Sequence, residues 1–125
     1  MRKLWPIEQA VFEAAAHDYR ASANALAEQM VVAQVTDFEN TGAGFFSTVS
    51  MPSDTRRLSE ASPLDVAIGT VAGTDAPGMG FLIFLEDGRV SLIEGYTFGM
   101  SSTVPIDFSS VDFKLIPWSL AGVST

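Results

Sequence analysis

The chain of 125 residues contains no cysteine and a single histidine, His17. The lack of cysteine excludes disulfides, cysteine-ligated zinc or iron–sulfur sites, and catalysis by a thiolate. One histidine cannot build a histidine-rich metal site, and no Gly-x-Ser-x-Gly segment provides a serine nucleophile. Only an all-carboxylate magnesium site stays open. We therefore expect no catalytic residues, metal ion or cofactor, and we place His17 at the surface or boundary of a helix.

Long apolar runs are also missing. No stretch approaches the roughly 18 consecutive apolar residues that a membrane helix needs. The chain begins with the basic residues Arg2 and Lys3, but Glu8 and Glu13 interrupt the region that a signal peptide keeps apolar. Together with the absence of disulfides, these features predict a cytoplasmic protein that does not associate with a membrane.

Basic residues are scarce, since seven stand against fifteen acidic ones and the net charge is −8. A nucleic-acid partner is therefore not expected, because an acidic chain repels the phosphate backbone. Arg56 and Arg57 form the only adjacent basic pair outside the N terminus, which is too little for a nucleic-acid-binding stripe. We keep both as candidate binding residues of another kind. The acidic surface also serves solubility.

The first quarter of the chain has the pattern of helices. From Pro6 to about Val32 there is no internal glycine or proline, and strong helix formers dominate. Ile7 and Val11 follow helical spacing, and Pro6 suits a first helical turn, where its missing N–H costs nothing. Ser22 is a plausible N-cap for a second helix. One bent helix and a helical pair are both compatible with the sequence, and we favour the pair.

After the helices the apolar period changes to two, which is typical of strands. The predicted strands cover 35–40, 45–51, 64–71, 81–86, 89–98 and 111–116. Asn40-Thr41-Gly42 and Asp87-Gly88 supply the hairpin turns. Helices followed by hairpin-connected strands predict a single α+β domain over residues 1–125, with helices within 6–32 and a five- to six-stranded, mainly antiparallel sheet within 33–118.

Glu94 interrupts the apolar stretch GFLIFLEDGRVSLIEGYTFG, residues 80–99. If Asp87-Gly88 is a two-residue type I′ turn, Glu94 faces Phe81 and shares the more apolar face of the hairpin with Tyr96 and Phe98. A slip of one residue would reverse this assignment. A carboxylate on a core face must be hydrogen-bonded, paired or protonated.

Two interpretations of Glu94 follow. It is either an acid–base or ligand-facing group in a cleft bordered by Tyr96 and Phe98, or a structural glutamate satisfied by backbone N–H groups or an arginine. An acid–base enzyme would want a second positioned group, and Asp37 and Glu39 on an early strand are the available carboxylates.

The aromatic residues of the predicted sheet favour a packed core rather than a base-stacking platform, because the chain is acidic. Trp118 follows Pro117 in the C-terminal segment and is the best candidate for a partly exposed anchor of an interface. The paired glycines at 42 and 44 and at 78 and 80 do not make a dinucleotide site, since each pair leads into a strand rather than a helix.

The stretches TGAGFFSTVSM (41–51) and GMGFLIFLEDGRVSLIEGYTFG (78–99) resemble an uncharacterised family of short bacterial proteins. That family carries a Gly-x-Gly-Phe-Phe segment, an apolar strand, Asp-Gly and a Leu-Glu-Gly-Tyr-Thr-Tyr-like ending. Here Ile93 stands for the leucine and Phe98 for the last tyrosine. The resemblance implies a small α+β cytoplasmic domain and implies no activity.

The sequence therefore favours a non-enzymatic binding or protein-interaction domain, in one version an immunity- or antitoxin-like protein that covers a basic partner with an acidic sheet face. The alternative is a small-molecule-binding protein or small enzyme that uses Glu94 in a cleft between sheet and helices. Self-association through a sheet edge or an aromatic patch is a third reading. The candidate binding residues are Glu94, Tyr96, Phe98, Trp118, Arg56 and Arg57.

Overall fold

The computed structural model describes residues 1–121 and has an α+β fold, as predicted. A two-residue strand precedes two helices, and six further strands follow. These elements are β1 (Arg2–Lys3), α1 (Pro6–Asp18), α2 (Ala23–Val32), β2 (Gln34–Asn40), β3 (Gly44–Ser50), β4 (Leu64–Val71), β5 (Met79–Glu86), β6 (Arg89–Thr97) and β7 (Phe113–Pro117). The described sheet has seven strands rather than five or six, because β1 is too short to show a period in the sequence.

The N-terminal helices form a pair rather than one bent helix. Pro6 opens α1, and the carboxylate of Glu8 accepts a hydrogen bond of 2.7 Å from the Trp5 N–H, which satisfies one free donor of the helix start. A short 3₁₀ turn, Arg20–Ser22, separates the helices. Ser22 directly precedes α2 as expected, but its hydroxyl donates to Glu60 instead of capping the helix. Neither helix in the described part of the chain is long and apolar enough to cross a bilayer.

The strand order across the sheet is β1-β2-β3-β6-β5-β4-β7, and every neighbouring pair is antiparallel. Both helices pack on one face of this sheet and form the core with it. Its most deeply buried large side chains are Ile7, Val11, Phe12 and Leu26 from the helices and Phe45, Val66, Met79, Phe81, Ile83 and Ile93 from the strands. The core therefore lies on one side of the sheet only.

The β5–β6 hairpin has the predicted turn but not the predicted register. Asp87 (φ 52°) and Gly88 (φ 73°) both have the positive φ angles of a type I′ turn. Beyond the turn, Leu85 faces Val90, but Phe84 then faces Leu92. Ser91 is thus an extra residue in β6, a β-bulge.

The bulge moves Glu94 to the other side of the sheet. The prediction that Glu94 faces Phe81 is wrong, because Glu94 faces Leu82 and Phe81 faces Gly95. Since neighbouring positions on a strand point to opposite faces, the shift of one residue turns Glu94 away from the core.

A buried glutamine is hydrogen-bonded to the strand beside the bulge. The Oε1 atom of Gln29 on α2 accepts a hydrogen bond of 3.0 Å from the Val90 N–H, next to the extra residue. Its Nε2 atom donates to the carbonyls of Arg56 and Gly88 at 2.7 Å and 3.2 Å. Gln29 is fully buried. A helix side chain therefore holds the tip of the hairpin, and no local sequence pattern shows this contact.

Candidate functional site

The face of the sheet that points away from the helices carries three of the six predicted site residues, Glu94, Tyr96 and Phe98. We call it the open face and define it by the strand residues whose side chains share that side. Its central residues are Phe46, Ile68, Leu82, Phe84, Leu92, Glu94, Tyr96 and Ile116, and charged residues lie around them. Most of them are half-buried by one another, and Ile116 at the sheet edge is 37% exposed. The centre of the open face is therefore largely apolar, although no helix within residues 1–121 covers it.

The central strands are apolar on both sides, which explains the open face. In β5, Phe81 and Ile83 point to the core, while Leu82 and Phe84 point outward. Strands of this kind normally lie between two covering layers. Here only one layer is present within residues 1–121. A contiguous apolar patch on a monomer commonly marks an interaction surface.

Glu94 lies at the centre of this apolar patch. Phe46 on β3 flanks it on one side and Leu82 on β5 on the other. Among the described residues the Glu94 carboxylate takes part in no ion pair. A half-buried carboxylate surrounded by apolar side chains is available to a cation supplied by a ligand or partner.

Further carboxylates surround Glu94 on the same face. Residues that pair across neighbouring strands form a row across the sheet. In the row of Glu94, Glu39 on β2 follows Phe46 on one side, and Asp65 on β4 follows Leu82 on the other. Because neighbouring strands are about 4.8 Å apart, each backbone position lies roughly 10 Å from that of Glu94. Asp37 occupies the next row, opposite Thr48.

Positive charge is sparse on the open face. Lys114 on β7 points to this side at the far edge of the sheet, opposite Thr70. Lys3 on β1, opposite Gln34, and Arg89 on β6, opposite Glu86, also lie on this side by register, and both are at its margins. The centre of the face is therefore negative.

Tyr96 and Phe98 lie beside Glu94, as the sequence predicted. Their rings meet edge to face with centroids 5.4 Å apart. The Tyr96 ring lies across Gly80, where a Cβ atom would come within 2.5 Å of the tyrosine hydroxyl oxygen, so this position needs glycine. Burial, followed by the negative charges of Asp65 and Glu94, raises the pKa of the Tyr96 hydroxyl. Tyr96 therefore keeps its proton at neutral pH and can donate a hydrogen bond.

The other candidate residues lie apart from this group. Arg56 and Arg57 are in the loop after β3, and they form exposed ion pairs with Glu28 (3.6 Å) and Asp87 (3.1 Å). Trp118 begins a short 3₁₀ turn, Trp118–Leu120, directly after the edge strand β7 and is 37% exposed. Glu94, Tyr96 and Phe98 are thus neighbours on the open face, and Arg56, Arg57 and Trp118 lie elsewhere.

The expected cleft between sheet and helices does not contain Glu94, because the helices cover the opposite face. Five shallow depressions of about 260 to 440 Å³ lie on the described surface, and Glu94 lines none of these five. Within residues 1–121 no three His, Asp or Glu side chains converge on a point where a metal ion could be held. Glu94 therefore lies outside these five depressions.

The buried carboxylate of this protein is Glu8, which sequence reasoning missed. Glu8 is fully buried. Arg2 donates to its two oxygens at 2.8 Å and 2.9 Å, and the hydroxyl of Ser47 also donates to it. The signal was present in the sequence, because Pro6 at the first helical position makes Glu8 the third residue, where a carboxylate caps the helix start. With all these partners Glu8 has a structural role.

Comparisons of the chain with protein-family models, with curated proteins and with solved structures gave no match. The open face, with its apolar side chains and the carboxylate of Glu94, is therefore the feature from which a function is inferred.

Proposed function

We propose that this protein is a non-enzymatic binding domain whose open face takes up a protein partner that presents basic and apolar side chains together. The observation that carries this proposal is Glu94, which has no cation beside it within the described chain and lies between Phe46 and Leu82. A partner lysine or arginine placed there would form its ion pair away from water, where such a contact contributes most to specificity.

The surrounding charges favour the same kind of partner. Asp37, Glu39 and Asp65 extend the negative charge around the apolar centre, and the whole chain carries −8. An acidic surface attracts a basic partner over long range and speeds their encounter. An immunity- or antitoxin-like role, in which this chain covers the basic surface of a partner, is the specific form of the proposal.

The rival function, a small-molecule site or enzyme built on Glu94 in a cleft between sheet and helices, has less support. Glu94 points away from the helices. Asp37 and Glu39 lie on the same face of the sheet but two strands away, so they do not contact Glu94. Ligand pockets are normally concave and enclose most of their ligand. The open face has the character of an interface instead.

The proposal is tested by identifying a partner and comparing two charge reversals. Protein retained from cell lysate at low salt is identified, purified and titrated against the wild type, Glu94→Lys and Asp54→Lys. Asp54 is exposed in the loop after β3, outside the open face, so the two variants change the net charge equally. We expect Glu94→Lys to weaken binding by about tenfold or more and Asp54→Lys to leave it within about threefold.

Added salt should weaken the wild-type complex, because long-range attraction between surface charges is screened. A purified partner that binds wild type and Glu94→Lys with equal affinity would rule out the open face as the binding surface. The absence of any retained protein at low salt would count against an interaction domain altogether.

A further inference from the structure

The strand β7 leaves one edge of the sheet unpaired. Phe113–Pro117 pairs with β4 on one side, and no strand among residues 1–121 pairs with it on the other. The opposite sheet edge is the two-residue strand β1. Alternate residues of this edge present backbone groups to which another strand can bond: Phe113 and Leu115 offer N–H and C=O, and Pro117 offers only its C=O.

An apolar depression runs along this free edge. Its volume is about 350 Å³, and it lies between α1 and β7. Ala10 and Ala14 of α1 line one side of it, and Phe113, Leu115 and Pro117 line the other, with Glu13 and His17 also at its wall. A strand added to β7 would direct every second side chain to the helix side of the sheet, toward this depression.

We propose that the occupant is a second copy of this chain, bound through antiparallel pairing of the two β7 strands about a twofold axis at Leu115. In this register Leu115 faces the partner's Leu115, Phe113 faces the partner's Pro117, and Lys114 faces the partner's Ile116. The Leu115 and Phe113 side chains of each copy lie against the depression of the other. The interface is therefore self-complementary, as a twofold contact requires.

Charge favours the β7 edge for self-association. Two chains of net charge −8 repel each other, and the centre of the open face would bring like carboxylates together. Lys114 lies on β7, and the twofold register places it opposite an isoleucine rather than opposite a second lysine. Facing like charges, which destabilise strand pairs, are thus absent from the proposed pairing.

Exposed apolar side chains extend the contact beyond the strand itself. Ile116, Trp118 and Leu120 are 37%, 37% and 42% exposed, and all three lie on β7 or directly after it. Pairing of five residues alone falls short of the roughly 1,000 Å² that a stable interface buries. These side chains supply the additional apolar area, and Trp118 then acts as the anchor that its position in the sequence suggested.

The molecular mass in solution tests the proposal. Light scattering and sedimentation should give twice the chain mass of 13.4 kDa for the wild type. Ile116→Lys places a lysine opposite Lys114 at two points of the twofold interface, and we expect the dimer to weaken by at least about tenfold. Thr48→Lys, an exposed site on β3, adds the same charge far from the edge and should leave the dimer unchanged.

A double variant tests the register itself. Lys114→Glu combined with Ile116→Lys places glutamate opposite lysine at both points, so the dimer should recover. A monomeric wild type at the highest soluble concentration overturns the proposal. A dimer untouched by Ile116→Lys, or a folded double variant that stays monomeric, overturns it as well. Glu94→Lys should leave the dimer intact, so the result is independent of the partner that the open face binds.

Discussion

Two glutamates show how the surroundings of a residue decide its role. Glu8 is fully buried, but Arg2, the Trp5 N–H and the Ser47 hydroxyl all donate to it. Glu94 is half-buried among apolar side chains, without an ion-pair partner in the described chain. A buried carboxylate that accepts hydrogen bonds from several donors stabilises the fold. A half-buried carboxylate without a nearby cation destabilises it, unless a binding partner supplies the cation.

Loss of Arg2 should leave Glu8 as an uncompensated buried charge. Breaking a buried ion pair by removing one partner costs about 3 to 5 kcal/mol in the free energy of unfolding. We expect Arg2→Ala to cost about 3 kcal/mol, at the lower end, because the Arg2 side chain is 27% exposed. The variant also loses the stacking of the guanidinium 3.3 Å above the Trp5 ring. Urea denaturation measures the change in the free energy of unfolding.

The neighbouring residue is the control for Arg2. Lys3 lies on the same short strand and is exposed, so Lys3→Ala should change the free energy of unfolding by no more than about 0.5 kcal/mol. Equal effects of the two variants would show that Glu8 does not depend on its ion pair.

At the scale of elements, local patterns predicted the helices and strands well but not the faces of β6. Period-two alternation located strands such as Leu64–Val71. The pair Asp87-Gly88 identified the turn between β5 and β6, because a type I′ turn needs residues that adopt positive φ angles. The register of the first two pairs after the turn was correct, and the bulge at Ser91 then reversed the faces. Beside the bulge, the Val90 N–H donates to Gln29, which is 61 residues away in the chain. A contact between distant residues has no signature in either local pattern.

Gln29 should be the residue that fixes this hairpin to α2. Gln29→Met keeps a similar volume but removes three hydrogen bonds and leaves the buried Val90 N–H without its acceptor. We expect a loss of about 2 kcal/mol in the free energy of unfolding and faster amide exchange at Val90. Glu28→Met introduces the same side chain at an exposed neighbour, and although it also removes a surface ion pair with Arg56 it should cost no more than about 0.5 kcal/mol. Unchanged exchange at Val90 would argue against Gln29 as the support of the bulge.

Across the whole molecule, composition and element order predicted the α+β class, but the order of strands in the sheet required the structure. Hairpins such as β2–β3 and β5–β6 follow from their turns. The central pairing of β3 with β6 joins the two hairpins, and nothing local specifies it. The same holds for β7, which returns to pair with β4 after a long loop. The one-sided core and the open face both result from these long-range pairings.

A carboxylate at the end of α1 helps to hold the C-terminal segment of the described chain. Asp18, the last residue of α1, accepts hydrogen bonds from the hydroxyl and the backbone N–H of Ser119, 101 residues away. Burial by itself raises the pKa of Asp18, but the bonds from Ser119 and from His17 outweigh it and hold the pKa below its ordinary value. A carboxylate with a lowered pKa in the folded state stabilises the fold while it is ionised.

This contact should make stability depend on pH in one direction. The stabilisation is complete above the pKa that Asp18 has in the unfolded chain, and it is lost as the pH falls through its folded pKa. Ser119→Ala should therefore be less stable than the wild type at neutral pH, and the difference should shrink in acid. Denaturation at neutral and acid pH measures the difference, and titration of the carboxyl by NMR follows Asp18 directly.

Ser109→Ala is the matched control, because it removes a serine from another Asp–Ser pair. Hydrogen bonds from Ser109 lower the pKa of Asp107, but the two residues are only two positions apart in one exposed loop. Both variants should raise the pKa of their aspartate. Only Ser119→Ala should destabilise the whole fold, because it removes a contact between residues 101 positions apart, whereas Ser109→Ala removes one between residues two positions apart. If both serines affected the unfolding midpoint equally, or if the loss at Ser119 were the same at every pH, the carboxylate of Asp18 would not be what ties the C-terminal segment to α1.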